Sequence, residues 1–338
     1  MSVMSSATSS TKNYFRVFDP PARMARKNFK PLDFTKVRTY PVTKRFSKVQ
    51  TSLLGKPIAK GATVRSFLRG LPNILAAQNL KLIAAKIADC HCKNKTVLLG
   101  MGAHPIKVGL SPLIIKFMER GIIDALALNG AGVIHDFELA YMGETSEDVA
   151  ATLKDGSFGM GEETGAFINA AIIEGARLEL GVGAAVGKAI LENHLPYRRL
   201  SILATASRLG IPVTCHIAIG TDIIHMHPKA DGKALGDCSL RDFRSLTSVV
   251  ATLGGGIYLN FGSAVILPEV FLKALSLARN LGHRVDNLTT VNLDFLQHYR
   301  PLTNVVSRPT LGTGKGYQLT GHMEIMVPLL FGAVLEEL

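Results

Sequence analysis

Four short stretches that contain glycine hold most of the residues in this chain that could take part in chemistry. They follow apolar runs and cover residues 100–109, 129–138, 220–228 and 260–265. Glycine at the end of a strand lets the backbone approach a phosphate, and the N-terminus of a following helix favours negative charge. Four such turns together predict a nucleotide or another phosphate-bearing ligand, although each glycine alone could serve only the turn. None of them matches the G-x-G-x-x-G fingerprint of dinucleotide-binding proteins.

Histidine and carboxylate side chains are concentrated in the same stretches and near the C-terminus. Such a mixture suits proton transfer near neutral pH, and it could also bind zinc or another divalent metal. A third interpretation is that these side chains only form hydrogen bonds within a polar pocket. We expect His225 and His227 to lie on one face of a strand, because a single residue separates them. The predicted catalytic residues are His135, Asp136, His225, Lys315, His322 and Glu324, and the alternative metal ligands are His225, His227, His322 and Glu324.

Nucleophilic catalysis has no clear signature in the sequence. A serine nucleophile of the G-x-S-x-G type is absent, and Cys215 is expected to point away from the adjacent His216. A lysine could instead form an imine with a carbonyl compound. Lys107 lies in the first glycine-containing stretch and Lys315 lies in a glycine-rich loop, so both lysines are candidates.

Alternating helices and strands must position these residues. Apolar runs without polar alternation predict buried strands near residues 97–99, 122–128, 211–220, 256–263 and 288–294. Runs with apolar residues at helical spacing separate the strands. This pattern is typical of an α/β fold with a largely parallel sheet and helices on both faces. Ligands bind such sheets at the carboxyl ends of the strands, which is where the four stretches lie.

The net charge of +12 is concentrated in the N-terminal part of the chain. Residues 1–61 contain 13 lysines and arginines and two aspartates, so they carry +11 and residues 62–338 carry about +1. We predict a basic arm over residues 1–61, disordered at residues 1–12, and a single α/β domain over residues 62–338. The arm could contact RNA, lie on a neighbouring subunit or remain solvated, and a transit peptide is a further alternative.

Cysteine content and hydropathy bear on the cellular compartment. Four cysteines in 338 residues do not make a disulfide framework. No apolar run reaches the ~18 residues of a membrane span. The expected location is therefore the reducing cytoplasm.

Residues 98–138 resemble the first nucleotide-binding section of the deoxyhypusine synthase family. In that family a strand ends in Thr-Ala-Gly-Gly before an acidic pair and Asp-Phe, and this chain has Asn-Gly-Ala-Gly at residues 129–132 and Asp-Phe at residues 136–137. A later Ile-Pro-Val strand leads to Thr-Asp at residues 221–222, as in the family. The resemblance covers about residues 62–300.

The resemblance implies a Rossmann-like fold, NAD as cofactor and a homotetramer with active sites between subunits. Members of the family oxidise spermidine and transfer its aminobutyl group through a lysine imine, and relatives transfer the same group to free amines. The residues that the resemblance and the glycine turns assign to NAD binding are Gly100, Gly102, His104, Asn129, Gly130, Ala131, Gly132, Thr221, Asp222, Asn260, Gly262 and Ser263.

The chain departs from the family pattern at positions that bear on the reaction. Ile134 and His135 stand where the family has its acidic pair. The catalytic lysine of the family follows Trp-Gly near the C-terminus, whereas residues 321–328 contain no lysine and the chain has no tryptophan. The fold and the cofactor therefore carry over better than the reaction.

These observations favour an NAD-dependent, transferase-like enzyme that acts on a polyamine-like small molecule, with deoxyhypusine formation itself not expected. A metal-dependent enzyme is one alternative. A non-catalytic protein with an NAD-binding fold, which binds RNA or a protein partner through the basic arm, is another. We expect a homo-oligomer and neither a membrane nor a nucleic acid as the main partner.

Overall fold

A six-stranded parallel sheet lies within residues 27–338, the part of the chain that the computed structural model describes. Its strands are β1 (Val97–Met101), β2 (Ala125–Asn129), β3 (Val213–His216), β4 (Ile257–Phe261), β5 (Thr289–Asp294) and β6 (Lys315–Thr320). All neighbouring strands pair in parallel, in the order β3-β2-β1-β4-β5-β6. This is the order of doubly wound nucleotide-binding folds. The predicted α/β fold with a parallel sheet is thus confirmed.

The five strands that the sequence predicts are buried, and the one that it does not predict is largely exposed. β1 to β5 are buried on both faces, apart from partly exposed Asn129 at the end of β2. β1, β2 and β4 are mainly apolar, whereas β3 (VTCH) and β5 (TTVNLD) also bury polar side chains. β6 is the edge strand, and only Leu319 is buried in it. The edge strand therefore needs no apolar run, and its sequence, KGYQLT, does not predict a strand.

Helices cover both faces of the sheet and form two hydrophobic cores. The helices are α1 (Val64–Gly70), α2 (Leu75–Cys92), α3 (His104–Lys107), α4 (Ser111–Glu119), α5 (Gly130–Met142), α6 (Val149–Thr152), α7 (Glu162–Arg177), α8 (Val182–Glu192), α9 (Ile202–Leu209), α10 (Gly232–Ala251), α11 (Ile266–Asn280), α12 (Tyr299–Pro301) and α13 (Met323–Glu337). Leu99 of β1 belongs to one core, with residues of α2, α5 and α13. The neighbouring Leu98 points to the other core, with residues of α10 and α11.

The region before β1, where apolar residues recur at helical spacing, forms two helices, α1 and α2. Pro72 lies between them, and proline lacks the N–H that a continuous helix needs. The N–H of Lys56 donates to the carbonyl of Gly70 at 2.8 Å, and the N–H of Asn73 donates to the carbonyl of Leu53 at 3.0 Å. These bonds tie the residues just before α1 into the compact unit, which begins at Gln50.

Residues 27–49 belong to a separate unit. They contain two short 3-10 turns, Phe34–Lys36 and Val42–Lys44, and their side chains are exposed. The disorder and the transit peptide predicted for the start of the arm fall largely outside the described residues. None of the helices within residues 27–338 combines the length and apolar character that crossing a membrane requires.

Close packing of α8 against β3 depends on a glycine. A Cβ atom at Gly183 would overlap the carbonyl oxygen of Val213. The N–H of Gly183 also donates to the buried carboxylate of Asp242 at 3.1 Å. The same carboxylate oxygen accepts the N–H of Cys215 at 2.8 Å, so one aspartate joins α10, α8 and β3.

We expect Gly183→Ala to lower the free energy of unfolding by about 1–3 kcal/mol, the usual cost of overpacking. The matched control is Gly236→Ala in α10, because a Cβ atom there meets nothing within 4 Å. Alanine at that helical position is expected to raise the free energy of unfolding by about 0.5–1 kcal/mol. Urea denaturation measures both variants. Equal effects of the two substitutions would show that the contact of α8 with β3 is not tight.

Candidate functional site

The second glycine-containing stretch, residues 129–138, forms the N-cap and the first nine residues of a helix. α5 begins at Gly130, directly after β2, and Asn129 is its N-cap. The side-chain oxygen of Asn129 accepts the N–H of Gly132 at 3.0 Å. The ionisable residues that follow therefore lie on successive turns of α5. Residues three apart share a helix face, so His135 and Glu138 point to one side of α5 and Asp136 to another.

Asp136, a predicted catalytic residue, caps a neighbouring helix. Its side chain is fully buried, and its carboxylate accepts hydrogen bonds from the Ser201 hydroxyl (2.5 Å) and from the N–H groups of Ile202 (2.7 Å) and Leu203 (3.1 Å). These donors belong to the N-terminus of α9. Burial raises the pKa of Asp136 to about 6, although the hydrogen bonds act in the opposite direction. The part of Asp136 in the structure is therefore to hold α9 against α5.

His135 and Glu138 are connected through a threonine. The Thr145 hydroxyl donates to Oε2 of Glu138 at 2.5 Å and lies 2.6 Å from Nδ1 of His135. Because the single hydroxyl proton is given to the carboxylate, Nδ1 of His135 must be the donor to Thr145. Nε2 of the neutral ring then carries the lone pair. Thr164 holds the other carboxylate oxygen of Glu138, at 3.3 Å.

His135 is held in its neutral form. Burial, and secondly the charge of Lys107, lower the pKa of His135 to about 4. The imidazole is therefore unprotonated at neutral pH. A neutral imidazole with a fixed tautomer is able to accept a proton from a bound molecule.

Two adjoining cavities lie beside α5, and together we call them the α5 cleft. The inner compartment, about 250 Å³, is lined by Lys107, His135, Phe158, Thr221 and Asp222. The outer compartment, about 390 Å³, is lined by Tyr141, Met142, Glu144, Glu163 and Thr164. The residues common to both are Glu138, Ser146, Glu147 and Ile223. The cleft lies at the carboxyl ends of β2 and β3, as expected for ligand sites in parallel sheets.

The segment between α5 and α7 supplies much of the cleft, and the sequence analysis does not assign it a role. The Glu147 carboxylate accepts the N–H of Gly159 at 2.9 Å and closes this segment into a loop. Glu144 and Glu163 at its two ends have no ion-pair partner within residues 27–338. A connection this long in a compact domain usually serves function. In the sequence, the length of this segment and its acidic residues are the features that could have indicated a role in the site.

The residues after β3 form a 3-10 turn, Ile223–Met226, and not a strand. The prediction that His225 and His227 share a strand face is therefore wrong. Nδ1 of His225 accepts the N–H groups of Gly220 (3.1 Å) and Asp222 (3.3 Å), so its Nε2 carries the proton. That Nε2 lies 4.0 Å from Oδ2 of Asp222, and both buried atoms lack a hydrogen-bond partner in the described part of the chain.

Three predicted catalytic residues lie far from the cleft. Lys315 begins β6 and therefore sits at the amino end of the sheet. His322 and Glu324 are at the carboxyl end of β6, where His322 is the N-cap of α13. Four strand spacings separate β6 from β2, which corresponds to about 19 Å. These three residues cannot act together with His135 within one subunit.

The alternative metal site is not assembled. Within residues 27–338, no group of three or more histidine, cysteine or carboxylate side chains is placed to hold a metal ion. His225 is engaged with backbone N–H groups, and Nε2 of His227 lies 3.3 Å from Glu162. His322 is exposed at the N-terminus of α13, beyond β6, and stacks on Phe295. The strand order separates the predicted ligands.

At several glycines assigned to phosphate binding, other residues of the chain occupy the space that a side chain would need. A Cβ atom at Gly100 would lie 2.6 Å from the Tyr258 hydroxyl, and one at Gly102 would overlap the carbonyl oxygen of Gly262. Gly262 has a φ of +64°, and the side chain of Met323 packs against it. These contacts explain the glycines by close packing around β1 and β4, where the strand order reverses, so the glycines by themselves do not indicate a phosphate site.

The N-terminus of α5 also holds an anion already. The Asp222 carboxylate packs directly against Gly130, where a side chain would overlap it. A carboxylate at this position repels a phosphate and takes the favourable place beside the helix dipole. The glycine turns thus give no support to a pyrophosphate site, and we derive no chemical step through NAD.

Of the other residues assigned to NAD binding, Asn260 and Ser263 are buried in the core and His104 is exposed at the surface. The Asn260 side-chain amide donates to the backbone carbonyl of Ser263 (2.9 Å) and to the side-chain Oδ1 of Asn292 (2.7 Å) within the core. The hydroxyl of Ser263 accepts the N–H of Leu267 at 3.2 Å. His104 is exposed at the start of α3. Of the assigned set, Ala131, Thr221 and Asp222 line the inner compartment.

Comparison with solved structures finds similarities at low sequence identity. A conserved putative LOR/SDH protein from Methanococcus maripaludis S2 is 14% identical, with 78% of this chain and 70% of that chain covered and a TM-score of 0.51. A putative deoxyhypusine synthase from Entamoeba histolytica is 11% identical, with 82% and 95% covered and a TM-score of 0.47. The cyanobacterial arginine dihydrolase ArgZ is 14% identical with a TM-score of 0.48; 77% of this chain is covered, and the chain spans only 33% of ArgZ.

No model of a known protein family matches the chain, and no curated protein matches it. The likeness to the LOR/SDH protein shows a common α/β fold. Fold and site together define an α/β protein with a doubly wound sheet and a polar cleft beside α5.

The burial of Asp136 predicts a pH-dependent stability. Its pKa is about 6 in the folded protein and about 4 in the unfolded chain, so its contribution is complete below pH 4 and is lost as the pH rises through 6. The loss amounts to about 3 kcal/mol. The free energy of unfolding of the wild type, relative to Asp136→Asn, should fall by this amount between pH 4 and pH 7.

Urea denaturation at both pH values provides the measurement. Asp286→Asn, which changes an exposed carboxylate, is the control and should show no comparable change. Asp242→Asn is the second variant, because burial raises the pKa of Asp242 to about 7 and predicts the same sign. The prediction is contradicted if, for both buried aspartates, the difference in free energy of unfolding between the wild type and the Asn variant does not change with pH.

Proposed function

We propose that this chain is an enzyme that binds a small amine in the α5 cleft and transfers a proton at Nε2 of His135. One observation carries the proposal. A neutral histidine with a fixed tautomer lies next to a compartment whose walls contain glutamates and no lysine or arginine. Carboxylates are the groups that hold ammonium ions in proteins, through charge-assisted hydrogen bonds.

The outer compartment suits an alkyl ammonium group. Glu144 and Glu163 are exposed carboxylates without an ion-pair partner among the described residues. Tyr141 and Met142 supply apolar surface along the same wall. An amine with a short methylene chain can therefore place its charge beside the glutamates and its carbon atoms against apolar side chains.

Glu138 and Thr145 position the histidine for its role. When Nε2 takes a proton, the ring becomes an imidazolium, and Nδ1–H remains bonded to Thr145. The Glu138 carboxylate is 3.8 Å from Nδ1 and stabilises the new charge. His135 is the catalytic residue in this proposal, while Glu138 and Thr145 act through it.

The resemblance and the strand order support NAD as the cofactor, and we retain it as a proposal. When bound, NAD would supply a hydride acceptor for oxidation of the amine. The glycine turns add no support for NAD, because packing within the chain explains their glycines. Aminoalkyl transfer to a second amine is the reaction that the resemblance suggests.

A homo-oligomer, with a tetramer implied by the resemblance, also remains a proposal. The basic arm contains exposed apolar side chains, including Phe29, Phe34 and Phe46, at 85%, 76% and 87% exposure. Exposed aromatic residues at this density favour contact with a partner over free solvation. A neighbouring subunit is the partner that we propose for the arm.

We expect 1,4-diaminobutane to bind the wild type, and the double variant Glu144→Gln/Glu163→Gln to bind it about three- to tenfold more weakly. Each exposed ion pair contributes about 0.2–1 kcal/mol, and 1.4 kcal/mol corresponds to tenfold. Isothermal titration calorimetry at low salt gives both affinities. The control is Glu192→Gln, an exposed glutamate of α8 outside the cleft, which should leave the affinity unchanged. Absence of binding to the wild type would refute the proposal.

Titration with NAD tests the cofactor separately. We expect saturable binding, and Asp222→Asn should strengthen it, because this substitution removes the negative charge beside the first turn of α5. Calorimetry with NAD up to millimolar concentration is the measurement. If neither protein binds NAD in this range, the cofactor prediction is wrong, whatever the result with amines.

A further inference from the structure

Another cavity lies away from the α5 cleft, between α4, α8, α9 and the 3-10 turn Arg198–Leu200. Its volume is about 530 Å³, which is larger than either compartment of the cleft. The last turns of α4 and α9 lie toward the amino ends of β2 and β3, because these helices lead into those strands. We call it the arginine cavity, and its lining residues are Glu119, Leu191, His194, Arg198, Arg199, Ala204, Thr205 and Arg208.

The lining of the arginine cavity is positively charged. It contains three arginines and one carboxylate, that of Glu119, so its net charge is +2 when the histidine is neutral. Glu119 accepts a hydrogen bond from Arg208 at 3.0 Å, and its other oxygen lies 3.7 Å from Nζ of Lys116. Two cations therefore already balance this carboxylate. Arg198 and Arg199 have no carboxylate partner within residues 27–338.

The two unbalanced arginines differ in how the chain holds them. Nη1 of Arg198 donates to the carbonyls of His194 (3.3 Å) and Leu195 (3.2 Å), just after α8. Its Nε and Nη2 have no partner in the described residues. Arg199, the next residue of the same turn, forms neither a hydrogen bond nor an ion pair there. Free guanidinium N–H groups on neighbouring residues suit the recognition of an oxyanion.

Thr205 adds a polar group that the fold does not use. The residue is only 3% exposed, it lines the cavity from α9, and its hydroxyl forms no hydrogen bond within residues 27–338. Other helical threonines, such as Thr152 and Thr247, donate to the carbonyl four residues earlier. Buried hydroxyl groups normally have a partner, so we expect that of Thr205 to bind a molecule in the cavity.

We propose that the arginine cavity binds a phosphorylated small molecule, whose phosphate groups are held by Arg198, Arg199 and Thr205. A phosphate has more acceptor oxygens than a carboxylate, so it can take bonds from two guanidinium groups and a hydroxyl at once. The cavity volume falls within the range of about 300–1,000 Å³ that is usual for small-molecule sites, which leaves room for the rest of the ligand. The site shares no lining residue with the α5 cleft and does not depend on the proposed function.

Calorimetric titration with inorganic pyrophosphate at pH 8 and low salt tests the site. We expect saturable binding by the wild type, and binding by Arg199→Gln that is weaker by about fivefold or more, because hydrogen bonds between charged groups are strong. Thr205→Val removes the hydroxyl and should weaken binding about threefold. The control is Arg284→Gln, which changes an arginine outside the cavity with an 89% exposed side chain and should leave the affinity unchanged.

Each alternative outcome overturns a defined part of the proposal. Absence of saturable binding by the wild type at millimolar pyrophosphate refutes the site. Unchanged binding in both Arg199→Gln and Thr205→Val refutes its assignment to this cavity. An equal loss in Arg199→Gln and Arg284→Gln would show that binding follows only the net charge, and would refute it as well.

Citrate distinguishes phosphate from carboxylate recognition, because its carboxylates carry a similar total charge at pH 8. We expect citrate to bind the wild type about tenfold more weakly than pyrophosphate, and equal binding overturns the preference for phosphate. Arg199→Gln should bind 1,4-diaminobutane like the wild type, which separates this site from the α5 cleft. Thermal unfolding checks that the variants fold, as expected for Arg199→Gln because Arg199 is exposed.

Discussion

The direct passage from β2 into α5 is the constraint on which the site depends. Asn129 ends the strand and caps the helix, so no loop separates the sheet from the first turn. The next residue must be glycine, because the Asp222 carboxylate occupies the space of its side chain. The helical repeat then decides the rest: His135 and Glu138 face the cleft, and Asp136 faces α9.

Buried carboxylates join the elements around this helix. Asp136 holds the N-terminus of α9, and Asp242 connects α10 to α8 and β3. Each one is surrounded by backbone N–H groups that offset part of the cost of burying a charge. These contacts, together with the close approach at Gly183, bring the helices close to the sheet.

Electrostatics divides the cleft into two parts with different roles. The inner compartment combines Lys107 with a histidine that burial keeps neutral. The outer compartment presents accessible glutamates. Proton acceptance needs the neutral ring, and recognition of an amine needs the carboxylates. Both needs are met because the loop between α5 and α7 brings Glu144 and Glu163 to the same side of α5 as His135.

The sequence alone determined the α/β class and five of the six strands, because buried strands, rich in apolar and β-branched residues, alternate with helical patterns that are visible without a structure. It also indicated the carboxyl ends of the strands and, through its polar cluster, His135. Tertiary structure decided which polar residues meet. Strand order separates Lys315, His322 and Glu324 from His135, and burial turns Asp136 into a helix cap. Strand order and burial depend on contacts between distant segments, and a local pattern does not contain them.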